Sequence, residues 1–177
     1  MPSDSLPWPW EISMTISETW AYNPRDRVHK SSRELIYTLA EVASKGGNFL
    51  LNIGSNAQGK LPPELASRFE VIGEWMTGNA KSIFTNGHGL KLGAIYGPTT
   101  ASDGAVYLYV LGRPDGDQLQ VRGTDGRVNR DASILATGRE RELDQHQVFQ
   151  EQCALRISLP ESLLDPYDTD VKPTRDT

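Results

Sequence analysis

Cysteine is nearly absent from this 177-residue chain, which holds Cys153 alone, and histidine occurs three times, at His29, His88 and His146. One cysteine and three scattered histidines build neither a disulfide framework nor the ligand spacing of a zinc site. No metal and no cofactor is expected, and Cys153 reads as a buried, inert thiol. Basic runs are missing too. Eighteen Lys and Arg stand against 23 Asp and Glu, a net charge of -5, and without a basic stripe to neutralise phosphates nucleic acid is not an expected partner. No stretch nears the roughly 18 apolar residues of a membrane span, and the first fifteen residues lack the basic start and apolar run of a secretory leader. The chain reads as soluble, with no membrane partner and its compartment left open. There is no internal repeat and no low-complexity segment.

What is present supports folding: 37% of the residues are apolar and the charge is mixed, enough for one good core or two small ones. Ser31 followed by Glu34 is a capping box, and Leu35, Ile36, Leu39, Val42 and Ala43 fall at helical spacing until Gly46-Gly47 ends the pattern. Next comes "NFLLNIG", a short apolar run without alternation, which suits a parallel strand covered on both faces. "SNAQGK" reads as a loop, Pro62-Pro63-Glu64 as a helix start, and Leu65, Phe69, Ile72 and Met76 as one buried stripe with Trp75 beside it.

From about residue 83 the helical period stops. "GAIYGPTT", "AVYLYVLG", "LQVRG", "SILATG" and "CALRISLP" are short strands separated by Asp-Gly and Gly-rich turns. The polar end "DPYDTDVKPTRDT" is expected to fray. The predicted class is therefore α/β plus all-β: residues 1–82 as the C-terminal part of a (β/α)8-type barrel, followed over 83–177 by an antiparallel β-sandwich with a frayed tail. A whole barrel needs about 250 residues, so most of one is outside this chain.

Barrel enzymes keep their chemistry at the C-terminal mouth of the strands, which turns attention to "LPWPWEISMTISETW". Trp8 and Trp10 could offer flat faces to a sugar ring, with Glu11 a carboxyl that gives or takes a proton. Equally, Glu11 could pair with an arginine such as Arg25 on a solvated loop while the tryptophans are core; spacing leaves both open. Asp4, Glu18 and Asp26 read as solvated charges and His29 as a surface residue, while Asn48 and Asn52, flanking the buried strand, could hydrogen-bond groups at a barrel mouth or serve equally as strand-end caps. Tyr107 and Tyr109 read as sandwich core in preference to an exposed glycan platform.

The segments "PWPWEISMTISETWAYN" and "SSRELIYTLAEVASKGGNFLLNIGSNAQGKLPPELASRFEVIGEWM" resemble the later barrel region of the α-L-fucosidases, retaining glycoside hydrolases that remove terminal fucose. Trp10-Glu11, Trp20-Ala21-Tyr22 and Ser44 to Gly54 occupy the positions of the family's Trp-Glu pair, its "WGY" and its "SKGGN" strand, with Ala21 and Ser55 departing from the usual glycine and proline. "LPESLLDPYDTDV" looks like the family's closing strand. The resemblance implies that Glu11 is the general acid/base, that the substrate is a fucosylated glycan, and that the nucleophilic aspartate, the fucose pocket and any secretion signal belong to a region outside this chain. Self-association is left open. The alternative is a noncatalytic β-sandwich module that binds glycan or a partner chain.

Overall fold

The computed structural model describes residues 6–84, 87–90, 95, 97–102, 105–122, 128–136, 139–142, 148–151 and 154–175. Cys153 and His146 lie outside them. A parallel pair comes first: β1 (Glu11–Thr15) and β2 (Asn48–Asn52) are joined through α1 (Ser32–Ser44), with Glu11 opposite Asn48 and Thr15 opposite Asn52. Helix α2 (Pro63–Ile83) follows.

Local chemistry explains these boundaries. The Ser31 hydroxyl accepts from the Glu34 amide while the Glu34 carboxylate accepts from the Ser31 amide, satisfying donors that a helix start otherwise leaves orphaned. Those bonds from Ser31 hold the Glu34 carboxyl below its ordinary range. At the other end Gly46 adopts φ +70°, a conformation glycine takes without penalty. Gly47 is required for a different reason: a Cβ there would stand 2.4 Å from the Trp10 indole, whose Nε1 donates to the Lys45 carbonyl at 3.1 Å. Proline at the first position of α2 sacrifices no helical bond.

The remaining strands are β3 (Gly87–His88), β4 (Thr99–Ser102), β5 (Ala105–Val110), β6 (Gln118–Arg122), β7 (Val128–Ala136), β8 (Arg139–Glu142), β9 (Val148–Glu151), β10 (Ala154–Ser158) and β11 (Thr169–Arg175). They form two antiparallel sheets, one of six strands in the order β3-β4-β5-β11-β7-β8 and one of three in the order β6-β10-β9. The sheets share a core of Val106, Leu108, Val110, Leu119, Val121, Ile134, Ile157, Leu159 and Val171. Alternation along β5 sends its even-numbered residues into that core, while Tyr109 points the other way and meets Ile36 and Ala40 of α1 and Trp75 of α2. The six-stranded sheet is thus covered by the small sheet on one face and by the helices on the other.

Three expectations are corrected. Residues 165–175 of the stretch expected to fray do not: β11 lies at the centre of the large sheet between β5 and β7. Its Val171 enters the core, and the Asp165 carboxylate receives the Tyr167 and Asp168 amides to set the turn that launches the strand. Of the expected stripe on α2, Leu65, Ile72 and Met76 pack inward beside Trp75 while Phe69 is exposed, because the helix docks on two surfaces in succession: Leu65 packs with Ile16 and Leu35, Trp75 with Tyr109. Finally, β2 is covered on one face only. Phe49 and Leu51 pack toward the helices while Leu50 is 50% exposed. Tyr107 and Tyr109 are buried, as expected for core residues.

Candidate active-site face

The C-terminal ends of β1 and β2 lie at Thr15 and Asn52, and the loop that follows β1 is tied down there. The Lys30 amide donates to the Ile16 carbonyl at 2.9 Å, and its ammonium donates to the Thr15 carbonyl at 2.8 Å. Ser17 and His29 face each other across an antiparallel bridge with Oγ and Nδ1 3.1 Å apart. At the centre stands Asp26. Its carboxylate accepts from the amides of Glu18 (3.0 Å), Thr19 (3.1 Å) and Val28 (3.3 Å) and from the Thr19 hydroxyl (3.1 Å). Desolvation works to raise the Asp26 pKa and is the largest single influence, but the donors, led by the Thr19 amide, together outweigh it and hold the carboxyl below its ordinary value.

This frame carries two aromatic rings. Asn52 donates from Nδ2 to the Trp20 carbonyl at 2.7 Å. Gly54 lets the backbone of the next residues approach, since a Cβ there would lie 2.4 Å from the Tyr22 amide nitrogen. Trp20 and Tyr22 remain 54% and 44% exposed, so their faces are held in place yet open to solvent. A small hollow of about 70 Å³ beside them is lined by Ser17, Tyr22, Asp26, His29, Gly54 and Glu64. A larger cleft of about 480 Å³, lined among others by Val110, Arg113, Gln118, Gln120 and Arg122, belongs to the antiparallel sheets and is remote from the strand ends. Arg113 is committed there to Asp117 and Glu161.

Glu11 is exposed and is the first residue of β1. It sits four residues before Thr15, about 13 Å along a strand that rises ~3.3 Å per residue, at the opposite end from the Trp20 loop. Among the described residues its carboxylate makes no side-chain hydrogen bond, and the ion pairs are Lys45–Glu41, Arg113–Asp117 and Arg113–Glu161, so the pairing with Arg25 is not formed. Trp8 is 61% exposed and Trp10 half-buried against Gly47; neither is a core residue. The structure therefore gathers Ser17, Trp20, Tyr22, Asp26, His29 and Asn52 at one mouth and leaves Glu11 away from it. Asp26 was missed as an organiser. The available signal was the succession Asn23-Pro24-Arg25-Asp26, turn-forming residues that hydrogen-bond their own backbone.

The described residues thus join a parallel β/α pair, with exposed aromatic rings at its mouth, to two antiparallel sheets, and comparison with known proteins places that arrangement among the glycoside hydrolases. Residues 1–81 match the family described as alpha-L-fucosidase. An α-L-fucosidase of Dictyostelium discoideum is 30% identical over 132 residues, which are 71% of this chain and 28% of that protein. Among solved structures, α-L-fucosidase isoenzyme 1 from Paenibacillus thiaminolyticus superposes with a TM-score of 0.86 at 28% identity, covering 100% of this chain and 44% of that one. A Bacteroides thetaiotaomicron α-L-fucosidase trapped as a covalent intermediate with 2-fluoro-fucosyl fluoride gives 0.78 at 25% identity, covering 96% and 39%. The chain belongs to the α-L-fucosidase family. It spans 28% of the Dictyostelium protein's length.

Proposed function

We propose that this chain supplies the later strands of the catalytic barrel, together with the C-terminal β-sandwich, of a retaining α-L-fucosidase acting on terminal fucosyl groups of glycans. In this reading residues 1–82 are the closing part of a (β/α)8-type barrel and residues 83–177 the sandwich. The observation that carries it is the β1–β2 pair. Parallel sheets are almost always buried on both faces, yet Leu50 is half exposed on a strand that lies inside the family match; a barrel would provide the missing cover. Retaining hydrolysis needs two carboxyl groups about 5–5.5 Å apart, one as nucleophile and one as acid/base. Glu11 takes the acid/base role on resemblance alone, and its position at the start of β1 weighs against it. The nucleophile and the fucose pocket would come from strands outside this chain. Trp20 and Tyr22 would lend flat apolar faces to the sugar.

The isolated chain should not turn over an aryl α-L-fucoside above a Glu11→Ala control. A chimera joining it to the part of the Paenibacillus enzyme that it does not match should do so; a folded but inactive chimera contradicts the fucosidase reading. Within an active chimera, an acid/base at Glu11 predicts that Glu11→Ala slows substrates with poor leaving groups, spares the first step with activated aryl ones, and is partly rescued by azide. Equal losses without rescue place the acid/base elsewhere. The cleft of about 480 Å³ in the sheets, where Gln118, Gln120 and Arg122 stand beside Ile95 and Val110, favours the second reading, a noncatalytic module, which predicts that the chain alone binds glycans and that Gln120→Ala weakens that binding.

A further inference from the structure

Where α2 meets the large sheet, the protein buries polar atoms without partners. Asp168 and Asp170 are fully buried, and none of their four carboxyl oxygens accepts a hydrogen bond among the described residues; the same is true of Asn79 Oδ1 on the facing helix. The neighbouring hydroxyls have their protons engaged elsewhere. Tyr109 and Thr100 both donate to the Ser82 carbonyl, at 2.5 and 2.6 Å, and the Ser82 hydroxyl donates to the Asn79 carbonyl at 2.7 Å. Trp75 Nε1 reaches the Asp168 backbone carbonyl at 3.2 Å, which fastens helix to strand but leaves the carboxyl alone. Asp168 and Asp170 lie two residues apart along the chain as it enters β11, so their side chains share one face.

Two carboxylates that accept no well-formed hydrogen bond and join no ion pair among the described residues are costly in such a place, and the neutral acids are not. The charged groups facing them are Asp165 in the preceding turn and Arg33 of α1, with Tyr109 of β5 the other titratable neighbour; Lys172, further along β11, has a partner of its own. Burial first, then the nearest acid, pushes both carboxyls well above their ordinary range. For Asp168 that acid is Asp165, with the Thr169 and Val110 amides and Arg33 opposing but outweighed; for Asp170 it is Asp168, with Ser82 opposing and outweighed.

We propose that Asp168 and Asp170 form an acid-strengthened latch that holds α2 on the six-stranded sheet as a protonated pair and loosens it as pH rises. Folding binds the protons that the unfolded chain releases near pH 4. The latch is therefore complete below that pH and is lost as pH climbs through the raised values of the folded state. This holds whether or not the chain serves a fucosidase.

The test is guanidinium unfolding of the whole chain, followed by indole emission, at intervals from pH 5 to pH 8.5, for the parent and for Asp168→Asn/Asp170→Asn, which fixes both groups in the neutral shape. The parent's folding constant should fall by up to tenfold per pH unit for each carboxyl that ionises, while the double variant stays nearly level and is the more stable of the two at pH 8.5. If the double variant does not fold, each single Asn variant should show a shallower fall than the parent. Parallel pH profiles for parent and variants, absence of cooperative unfolding at pH 5, or a parent stabilised by millimolar calcium and insensitive to acid would overturn the latch.

Discussion

The two halves of this molecule bury their strands in opposite ways. In the antiparallel half β5 is buried at every position, and its even-numbered residues join side chains from β6, β7, β10 and β11 in one closed core. In the β/α half two parallel strands pair with each other and with nothing else among the described residues, and β2 turns Leu50 to solvent. A two-stranded sheet is marginal by itself. The family match, residues 1–81, falls on the half whose sheet has two strands among the described residues, so the region most legible by resemblance is the one with the least sheet of its own.

The largest effect should come from separating the halves. Residues 1–82 expressed alone lose the sheet that covers Trp75 and Ala40 and should be molten or aggregated, with no cooperative transition in calorimetry. A sharp transition for that piece would break the comparison. Next, Leu108→Ala in the closed core should cost about 2–5 kcal/mol in chemical denaturation, whereas Leu50→Ala, already half in water, should cost well under 1 kcal/mol. Similar losses would mean that β2 is covered in solution. Ser31→Ala should cost about 1 kcal/mol, read from the same curves.

A last contrast separates the halves by the sign of their pH response. Asp26 and Glu34 in the β/α half have lowered pKa values; what they contribute is present above pH ~4 and is lost as pH falls through the folded-state values. Asp168 and Asp170, raised, act in the opposite direction. Acidifying from pH 6 to pH 3 should lower the protection of the Thr19 and Val28 amides, taken relative to the intrinsic exchange rate at each pH, before it lowers that of Leu108 and Val171. Simultaneous release would contradict the assignment.

Much of this was legible in sequence, for identifiable reasons. Capping box, double glycine and Pro-Pro-Glu are local signals, and α1, β2 and the start of α2 appeared where these residues put them. Composition hides β11, because Thr-Asp-Val-Lys-Pro-Thr-Arg carries buried acids and a strand proline; only the resemblance of "LPESLLDPYDTDV" to a closing strand marks its start, and its place between β5 and β7 is a matter of packing. Phe69 misled because one apolar period cannot reveal that a helix crosses from one surface to another. At the site, Trp20 and Tyr22 stand out as an aromatic motif and Asn23-Pro24-Arg25-Asp26 as a turn, but that Asp26 also receives the Glu18 and Thr19 amides from across the loop is set by the fold. Glu11 drew notice through its tryptophan neighbours, and strand direction, a property of the fold, is what separates it from the mouth.

The comparison of the halves is tested most directly by native-state hydrogen exchange on the intact chain. The account predicts the slowest amides within 105–111, where β5 is paired on both sides and buried on both faces, and markedly faster exchange within 35–53, where β2 pairs with β1 alone. Stronger protection in 35–53 than in 105–111 would contradict it, and would show that the β/α half is complete without further strands.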